Sequence, residues 1–282
     1  MNEISETKGV VSQRAVPGPA LYQVTVVPPS ARAVVGILHG YAEHGARYAH
    51  VQQAWAEKGL ASVAIDLRGH GRAEGARGYC TRFEEYQDDV TELARLVQDA
   101  APKIPAFLFG HSFGGLLAAW STLLDARAWR GLLLSDPYFK LALQVPGAKR
   151  LAAKVASRVY PKLALPSGLS GKDLTHDAVK ARAYDEDPLV FPKATVRWFT
   201  EAQKAQQTAL DGAARLKLPL YMLLGLGDIV ASPEGGRSFY EHAGSTDKKL
   251  DERPGLFHEV LNEPEWRGMA DDMADWMLAR LT

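Results

Sequence analysis

Short runs of consecutive apolar residues, bounded by glycine or proline, recur along the chain at intervals long enough to hold helices. We predict buried strands at these runs, which are Ala33–Leu38, Ala61–Asp66, Ala106–Gly110, Gly131–Ser135 and Leu218–Leu224. Continuous rather than alternating apolar residues are typical of strands that helices cover on both faces. An earlier run, Leu21–Val27, precedes this alternation, and we predict that it forms an antiparallel edge strand.

Helix-length segments lie between these strands. They are Arg47–Lys58, Phe83–Ala101, Gly114–Leu124, Pro233–His242 and a final segment from about Asn262 to Leu281. We expect the Asn262 side chain to cap the final helix, because Glu265 follows it by three residues. Strands that alternate with helices predict an α/β fold, with a mostly parallel central sheet and right-handed crossovers.

The segment 137–192 interrupts this alternation. It shows no good strand, and its helix-favouring pieces are broken by prolines and glycines. We predict a helical cap, inserted over the end of the sheet, with 1–136 and 193–282 forming the core domain. The alternative is that these residues form ordinary crossover helices of the main fold.

Composition narrows the class of protein. The chain has 282 residues, of which 46% are apolar, so it can bury a sizeable core. Basic and acidic residues balance at 33 each without a basic stripe, which argues against nucleic acid as a partner. Cys80 is the single cysteine, so no internal disulfide can form. The first residues lack an apolar signal region, and no apolar run approaches the ~18 residues of a spanning helix. We therefore expect a cytoplasmic location.

Ser112 is the first candidate for chemistry. Gly110-His-Ser-Phe-Gly114 matches G-x-S-x-G at the junction of a predicted strand and helix, the context in which this motif holds a nucleophilic serine on a strained turn. Glycine two positions away on each side leaves room for the tight approach of the backbone. The alternative is an ordinary turn, since glycine also flanks serine in many loops.

A serine hydroxyl needs a general base and a carboxylate that orients it. Among eight histidines, His258 follows the last weak strand and precedes the final helix, which fits the chain order nucleophile, acid, base. Two aspartates end strands downstream of Ser112. We prefer Asp228, because Gly225 and the glycine at 227 let its loop approach the histidine, and Asp136 remains the alternative.

Acyl transfer also needs donors for the developing oxyanion. In this motif one donor is the backbone N–H after the nucleophile, here that of Phe113. The second should come from the loop after the strand 33–38, and the backbone N–H of Tyr41 has the right position. The alternative is that this loop, HGYAEHG, is a flexible turn without a role.

The motifs together resemble the α/β-hydrolase superfamily and, within it, the monoacylglycerol lipase/lysophospholipase branch, which is grouped with serine-aminopeptidase-like hydrolases. The resemblance covers the chain from about Ala33 to Leu281. It depends on His39–His44 with Arg47-Tyr48, Asp66–Gly71, Gly110–Gly115, Asp228–Val230, His258–Pro264 and, in the insertion, Leu165–Leu169 and Tyr184–Val190.

The resemblance implies an α/β-hydrolase fold without a cofactor, and the histidines lack the paired spacing that would indicate a metal site. It implies Ser112 as nucleophile, Asp228 as acid, His258 as base and the Tyr41 and Phe113 amides as oxyanion donors. It also implies a cap over an acyl-chain tunnel. Two positions depart from the branch: Ala73 replaces a common serine, and the bulk of Tyr41 could narrow the leaving-group side.

The resulting hypothesis is a serine hydrolase that cleaves carboxylic esters, with monoacylglycerols or lysophospholipid-like acyl esters as substrates. Alternatives are a peptidase, thioesterase, lactonase or aryl esterase with the same triad, or a non-catalytic binding scaffold. The oligomeric state stays open. Transient contact of the cap with lipid is a further expectation, and the alternative is an ordinary amphipathic helix packed on the core. The expected contact depends on apolar and basic residues: Leu141, Leu143, Val145, Leu151, Val155 and Val159 with Lys149, Arg150, Lys154 and Arg158.

Overall fold

The computed structural model describes residues 5–11, 18–142 and 147–281 of the chain. Within these residues the strands are β1 (Ser5–Val11), β2 (Tyr22–Val27), β3 (Ala33–Leu38), β4 (Leu60–Asp66), β5 (Ala106–His111), β6 (Gly131–Ser135), β7 (Ala164–Pro166), β8 (Lys193–Thr195), β9 (Leu220–Gly225) and β10 (Lys248–Arg253). The helices are α1 (Ala49–Glu57), α2 (Glu85–Ala100), α3 (Phe113–Leu124), α4 (Gly147–Val159), α5 (Ala178–Glu186), α6 (Val196–Gly212), α7 (Pro233–His242) and α8 (Trp266–Leu278).

Eight strands form one sheet in the order β1-β2-β4-β3-β5-β6-β9-β10. The pairs from β4 to β10 are parallel, and β2 pairs antiparallel with β4. The predicted α/β fold with a mostly parallel sheet is therefore confirmed. In such a sheet the carboxyl ends of neighbouring strands meet at one edge, which is where catalytic loops gather.

Helices cover both faces of the sheet, which explains the continuous apolar runs. On β3, Val34 and Leu38 face the layer that contains α2, α3, α6 and α7, whereas Val35 and Ile37 face the layer of α1 and α8. All residues of β3 are buried. Because successive side chains of a strand point to opposite faces, both sets had to be apolar.

Two sequence predictions about the sheet need correction. The strand at Leu21–Val27 is antiparallel as predicted, but it does not form the edge, because β1 pairs with its outer side. The segment 137–192 also contains a strand, since β7 pairs antiparallel with β8 across the predicted boundary at 192/193. Both strands have only three residues and β7 is exposed, so no apolar pattern marks them.

The ends of the predicted helices agree with the structure to within two residues, except in the first and the last of these helices. The helix predicted from Arg47 begins as a 3₁₀ turn, Gly45–Tyr48, that leads into α1. The final helix starts at Trp266 and ends at Leu278, so the prediction that Asn262 caps it is wrong. The Asn262 amide instead donates a hydrogen bond to Glu259, 2.8 Å away, and a 3₁₀ turn occupies this part of the loop.

Candidate active site

Ser112 lies on the sharp turn between β5 and α3. Its backbone has φ 51° and ψ −116°, a left-handed conformation that costs a non-glycine residue about 1–3 kcal/mol. A Cβ on Gly110 would collide with the Gly114 carbonyl, and one on Gly114 with the Leu38 carbonyl, so neither position tolerates a side chain without movement. The two glycines thus allow the turn that projects Ser112 beyond the strand end.

Ser112, His258 and Asp228 form a continuous chain of hydrogen bonds. The Ser112 Oγ lies 2.9 Å from Nε2 of His258, and the Nδ1 of His258 lies 2.7 Å from Oδ2 of Asp228. For the neutral imidazole this geometry requires that Nδ1–H donates to Asp228 and that Nε2 accepts the serine proton. The three side chains come from loops after β5, β9 and β10, at the carboxyl edge of the sheet.

The other oxygen of Asp228 is held by its own loop. Oδ1 accepts hydrogen bonds from the backbone N–H groups of Val230 and Ala231, at 2.7 and 3.0 Å. The Asp228 carboxylate is buried, and these donors orient it so that its second oxygen meets His258. A carboxylate fixed in this way also fixes the tautomer and the ring orientation of the imidazole.

Asp136, the alternative acid, has a different environment. Its carboxylate accepts the backbone N–H of Gly225 at 2.7 Å, and its own N–H donates to Leu223. Burial, followed by the nearby charge of Asp228, raises the pKa of Asp136 well above its usual range. The side chain therefore joins the ends of β6 and β9, and among the described residues it forms no hydrogen bond with His258.

The pKa of His258 is raised from its ordinary value of 6.5. Burial by itself lowers this pKa, but the charge of Asp228 and its hydrogen bond to Nδ1 outweigh that effect. His111 lies beside it with ring centroids 4.8 Å apart, and burial lowers the pKa of His111 to about 4. The neighbour thus stays neutral, and His258 is the basic imidazole of the site.

Two backbone donors meet above Ser112, one from the loop after β3 and one from the first residue of α3. The N–H groups of Tyr41 and Phe113 donate to no acceptor within the described residues, and both residues border the cavity above Ser112. The Gly40 N–H, in contrast, donates to Oε1 of Glu43 at 2.5 Å. The Gly40 amide therefore already has an acceptor, whereas the next amide, that of Tyr41, has none among the described residues.

Arg47 joins this loop to the loop of the histidine. Its guanidinium donates to both carboxylate oxygens of Glu259 at 2.7 Å, and it also donates to Glu43. Burial by itself raises the pKa of Glu259, but the charge of Arg47 holds this pKa below its usual value. The sequence analysis used these residues only to define the family resemblance and assigned them no role. The signal that could have revealed the ion pair is the presence of charged residues in two loops that flank the predicted site.

A cavity of about 410 Å³ opens above Ser112. Its lining is mostly apolar, with polar groups concentrated near the serine. The apolar side chains include Tyr138, Leu141, Ala153, Leu165, Leu174, Val196, Trp198, Phe199, Ile229 and Val230. The volume falls in the range typical of sites for small ligands, and the lining suits a hydrocarbon chain.

The chain belongs to the family described as serine aminopeptidase, S33, whose model matches residues 29–265. It is a carboxylic ester hydrolase with the α/β-hydrolase fold.

Individual relatives agree with this assignment. The chain is 31% identical to a monoacylglycerol lipase of Mycolicibacterium smegmatis, over 99% of this chain and 100% of the relative. It is 34% identical to phospholipase YtpA of Bacillus subtilis, over 83% and 90% of the two chains. The crystal structure of a Paleococcus ferrophilus monoacylglycerol lipase superposes with a TM-score of 0.84 at 29% identity, covering 92% of this chain and 99% of that one.

Two kinds of feature are absent from the described residues. These residues contain no cluster of three or more histidine, cysteine or acidic side chains with the geometry of a metal site. No helix within the same residues is both long and apolar enough to span a membrane.

Proposed function

We propose that the protein hydrolyses monoacylglycerols or related single-chain acyl esters, with Ser112 as nucleophile, His258 as general base and Asp228 as orienting acid. The observation that carries this proposal is the unbroken series of hydrogen bonds from Ser112 to Asp228 beneath an apolar cavity. Two relatives that are monoacylglycerol lipases, at 31% and 29% identity, support the substrate class.

The reaction proceeds in two halves. The Ser112 Oγ attacks the ester carbonyl while its proton moves to Nε2 of His258, and the N–H groups of Tyr41 and Phe113 stabilise the oxyanion. Asp228 stabilises the imidazolium that forms. As the tetrahedral intermediate collapses, His258 protonates the leaving alcohol. Water then attacks the acyl-enzyme while His258 accepts its proton. As the second tetrahedral intermediate collapses, His258 returns this proton to the Ser112 Oγ and the fatty acid is released.

The segment 137–192 is proposed to act as a cap over the acyl chain. Leu141, Ala153, Leu165 and Leu174 of this segment border the cavity. The face of α4 directed away from the cavity exposes Leu151, Val155 and Val159 by more than half of their surface. Apolar residues on an exposed helix next to a substrate entrance suit contact with a lipid surface.

Basic residues near this face suit anionic headgroups. Lys154, Arg158 and Lys162 lie on or just after α4. Flotation with phosphatidylcholine vesicles, with and without an anionic lipid, tests the contact: Lys154→Glu with Arg158→Glu should reduce binding to anionic vesicles selectively. Of the residues expected to contribute, Leu143, Val145 and the side chains of Lys149 and Arg150 lie outside the described residues.

The cytoplasmic location of the protein remains a prediction, which cell fractionation tests.

A substrate panel tests the proposed function. The wild-type protein, Ser112→Ala and Ser121→Ala are each assayed on a set of substrates. The set contains monoacylglycerols of increasing chain length, a lysophospholipid, a short aryl ester and an aminoacyl amide. Ser121 is a matched control, because it is a buried serine on α3, the helix that follows the nucleophile. Ser112→Ala should lose ~10⁶-fold in kcat, whereas Ser121→Ala should remain active.

Two outcomes would contradict the proposal. Preference for the short aryl ester or the amide over every monoacylglycerol would reject the lipid substrate. Activity of Ser112→Ala equal to that of Ser121→Ala, or failure of a fluorophosphonate probe to label Ser112, would reject the nucleophile.

A further inference from the structure

The side chain of Tyr41 is much larger than its proposed backbone role requires. Its hydroxyl lies 3.1 Å from the carbonyl oxygen of Gly78 and 3.2 Å from that of Lys193, so one proton is shared between two acceptors. Thr195 donates to the same Gly78 carbonyl at 2.6 Å. Three segments that are distant in the sequence therefore meet at this hydroxyl: the loop after β3, the loop after β4 and strand β8.

The ring of Tyr41 is held as firmly as its hydroxyl. It lies on the Trp198 ring, with centroids 3.6 Å apart, and meets the edges of the Phe113 and Phe191 rings. Burial of the phenol raises the pKa of Tyr41, which keeps the hydroxyl a neutral donor. A Cβ on Gly78 would collide with the Tyr41 hydroxyl and approach the Phe191 ring to 2.7 Å, so the absence of a side chain at 78 makes room for this phenol.

The backbone next to Tyr41 also forms a hydrogen bond with residues 191–198. The Ala42 carbonyl accepts the N–H of Phe191 at 3.2 Å, and Ala42 has a left-handed backbone with φ 69°. Residues 191–198, which connect the 137–192 segment to α6, thus contact both the side chain of Tyr41 and the next peptide group. A shift of 191–198 would move the Tyr41 amide as well.

We infer that Tyr41 is a positioning residue, whose side chain holds its own backbone N–H in place for the oxyanion and couples that amide to residues 191–198. This inference rests on the proposed function, because it takes the Tyr41 N–H to be an oxyanion donor. A displacement of 191–198 by cap movement would remove the hydrogen bond to the Lys193 carbonyl and the ring contacts with Phe191 and Trp198 together. Full stabilisation of the transition state therefore requires that residues 191–198 keep their contacts with Tyr41.

Tyr41→Phe tests the inference, because it removes the hydroxyl and keeps the ring. Complete loss of an oxyanion donor lowers turnover by ~10²–10³-fold, so a displaced donor should lower kcat by about 10-fold with little change in KM. The matched control is Tyr240→Phe, which removes another phenol that donates to a backbone carbonyl, that of Lys248 at 3.0 Å. Its kcat should stay within about twofold of wild type.

A trifluoromethyl ketone supplies a readout that a merely structural role would not move. Its serine adduct places an oxyanion in the same position, so its inhibition constant should rise by the same factor by which kcat/KM falls. A kcat unchanged in Tyr41→Phe, a loss confined to KM, or an equal loss in Tyr240→Phe would overturn the inference. If Tyr41→Phe does not fold, Phe191→Leu removes one of the rings that hold Tyr41 and should give the same pattern.

Failure of the inference is distinguishable from failure of the proposed function. If Ser112→Ala is inactive and Tyr41→Phe retains full kcat, only the role of the Tyr41 side chain is rejected. If Ser112→Ala retains activity, the proposed function itself fails, whatever the tyrosine variants show.

Discussion

Arg47 and Glu259 are 212 residues apart in the sequence and form a buried bidentate ion pair, with both N–O distances at 2.7 Å. Glu259 follows the proposed base directly, and Arg47 also contacts Glu43, which accepts the Gly40 N–H beside the proposed oxyanion donor. The Tyr184 ring of α5 lies against the guanidinium at 4.9 Å. One side chain thus connects the base, the oxyanion loop and the 137–192 segment.

Removal of the Arg47 charge should be costly. Arg47→Met leaves two buried carboxylates without their cation, and we expect the free energy of unfolding to fall by about 3–5 kcal/mol in urea denaturation. Arg267→Met is the control, because its pairs with Glu57 and Asp271 are exposed and should contribute less than about 1 kcal/mol. Equal losses in the two variants would show that the buried cluster is not a special source of stability.

The two candidate acids should respond differently to the same substitution. Asp228→Asn supplies the wrong partner for Nδ1 of His258, and kcat should fall by ~10⁴-fold. Asp136→Asn keeps an oxygen that accepts the Gly225 N–H, so kcat should stay within about tenfold of wild type. Steady-state kinetics on one acyl ester make the comparison. A larger loss in Asp136→Asn would reverse the assignment.

The raised pKa of His258 sets the pH dependence of activity. Only the neutral imidazole accepts the serine proton, so kcat/KM should rise with pH through an apparent pKa above 6.5. In the residual activity of Asp228→Asn this rise should move to lower pH, because the charge that raises the pKa is lost. An unchanged midpoint in that variant would contradict the attribution to Asp228.

The same pKa shift has a consequence for stability. Because the folded-state pKa lies above the unfolded value, protonation of His258 favours the folded state. This contribution is fully present below about pH 6.5, the unfolded value, and disappears as pH rises through the folded pKa. His258→Gln should therefore flatten the pH dependence of the free energy of unfolding in this window.

The glycines of the serine turn should not tolerate alanine. In Gly114→Ala the new methyl would meet the Leu38 and His39 carbonyls, so we expect a loss of several kcal/mol in the free energy of unfolding, or no folded protein. Gly268→Ala is the control, because it lies in α8 with open space around it and should stabilise by about 0.4–1 kcal/mol. Thermal denaturation distinguishes the two, and a folded, fully stable Gly114→Ala would contradict the steric argument.

The sequence determined what depends on local pattern. Apolar runs gave β3 and β6 at their observed bounds, and the strand-turn-helix context of Ser112 required the left-handed turn that the structure contains. These features are readable because burial on both faces, tight turns and helix starts restrict the residue types within a few positions.

Tertiary structure decided what depends on contacts between distant residues. It placed β1 outside β2, paired β7 with β8, and set Asp228 rather than Asp136 against His258. Gly225 and Gly227 favoured Asp228 in the sequence. Both aspartates nevertheless follow strands downstream of Ser112, and only the folded loops show which carboxylate reaches the imidazole. The same holds for Arg47 with Glu259 and for Tyr41 with Gly78, since their contacts arise only when loops from separate strands meet at one edge of the sheet.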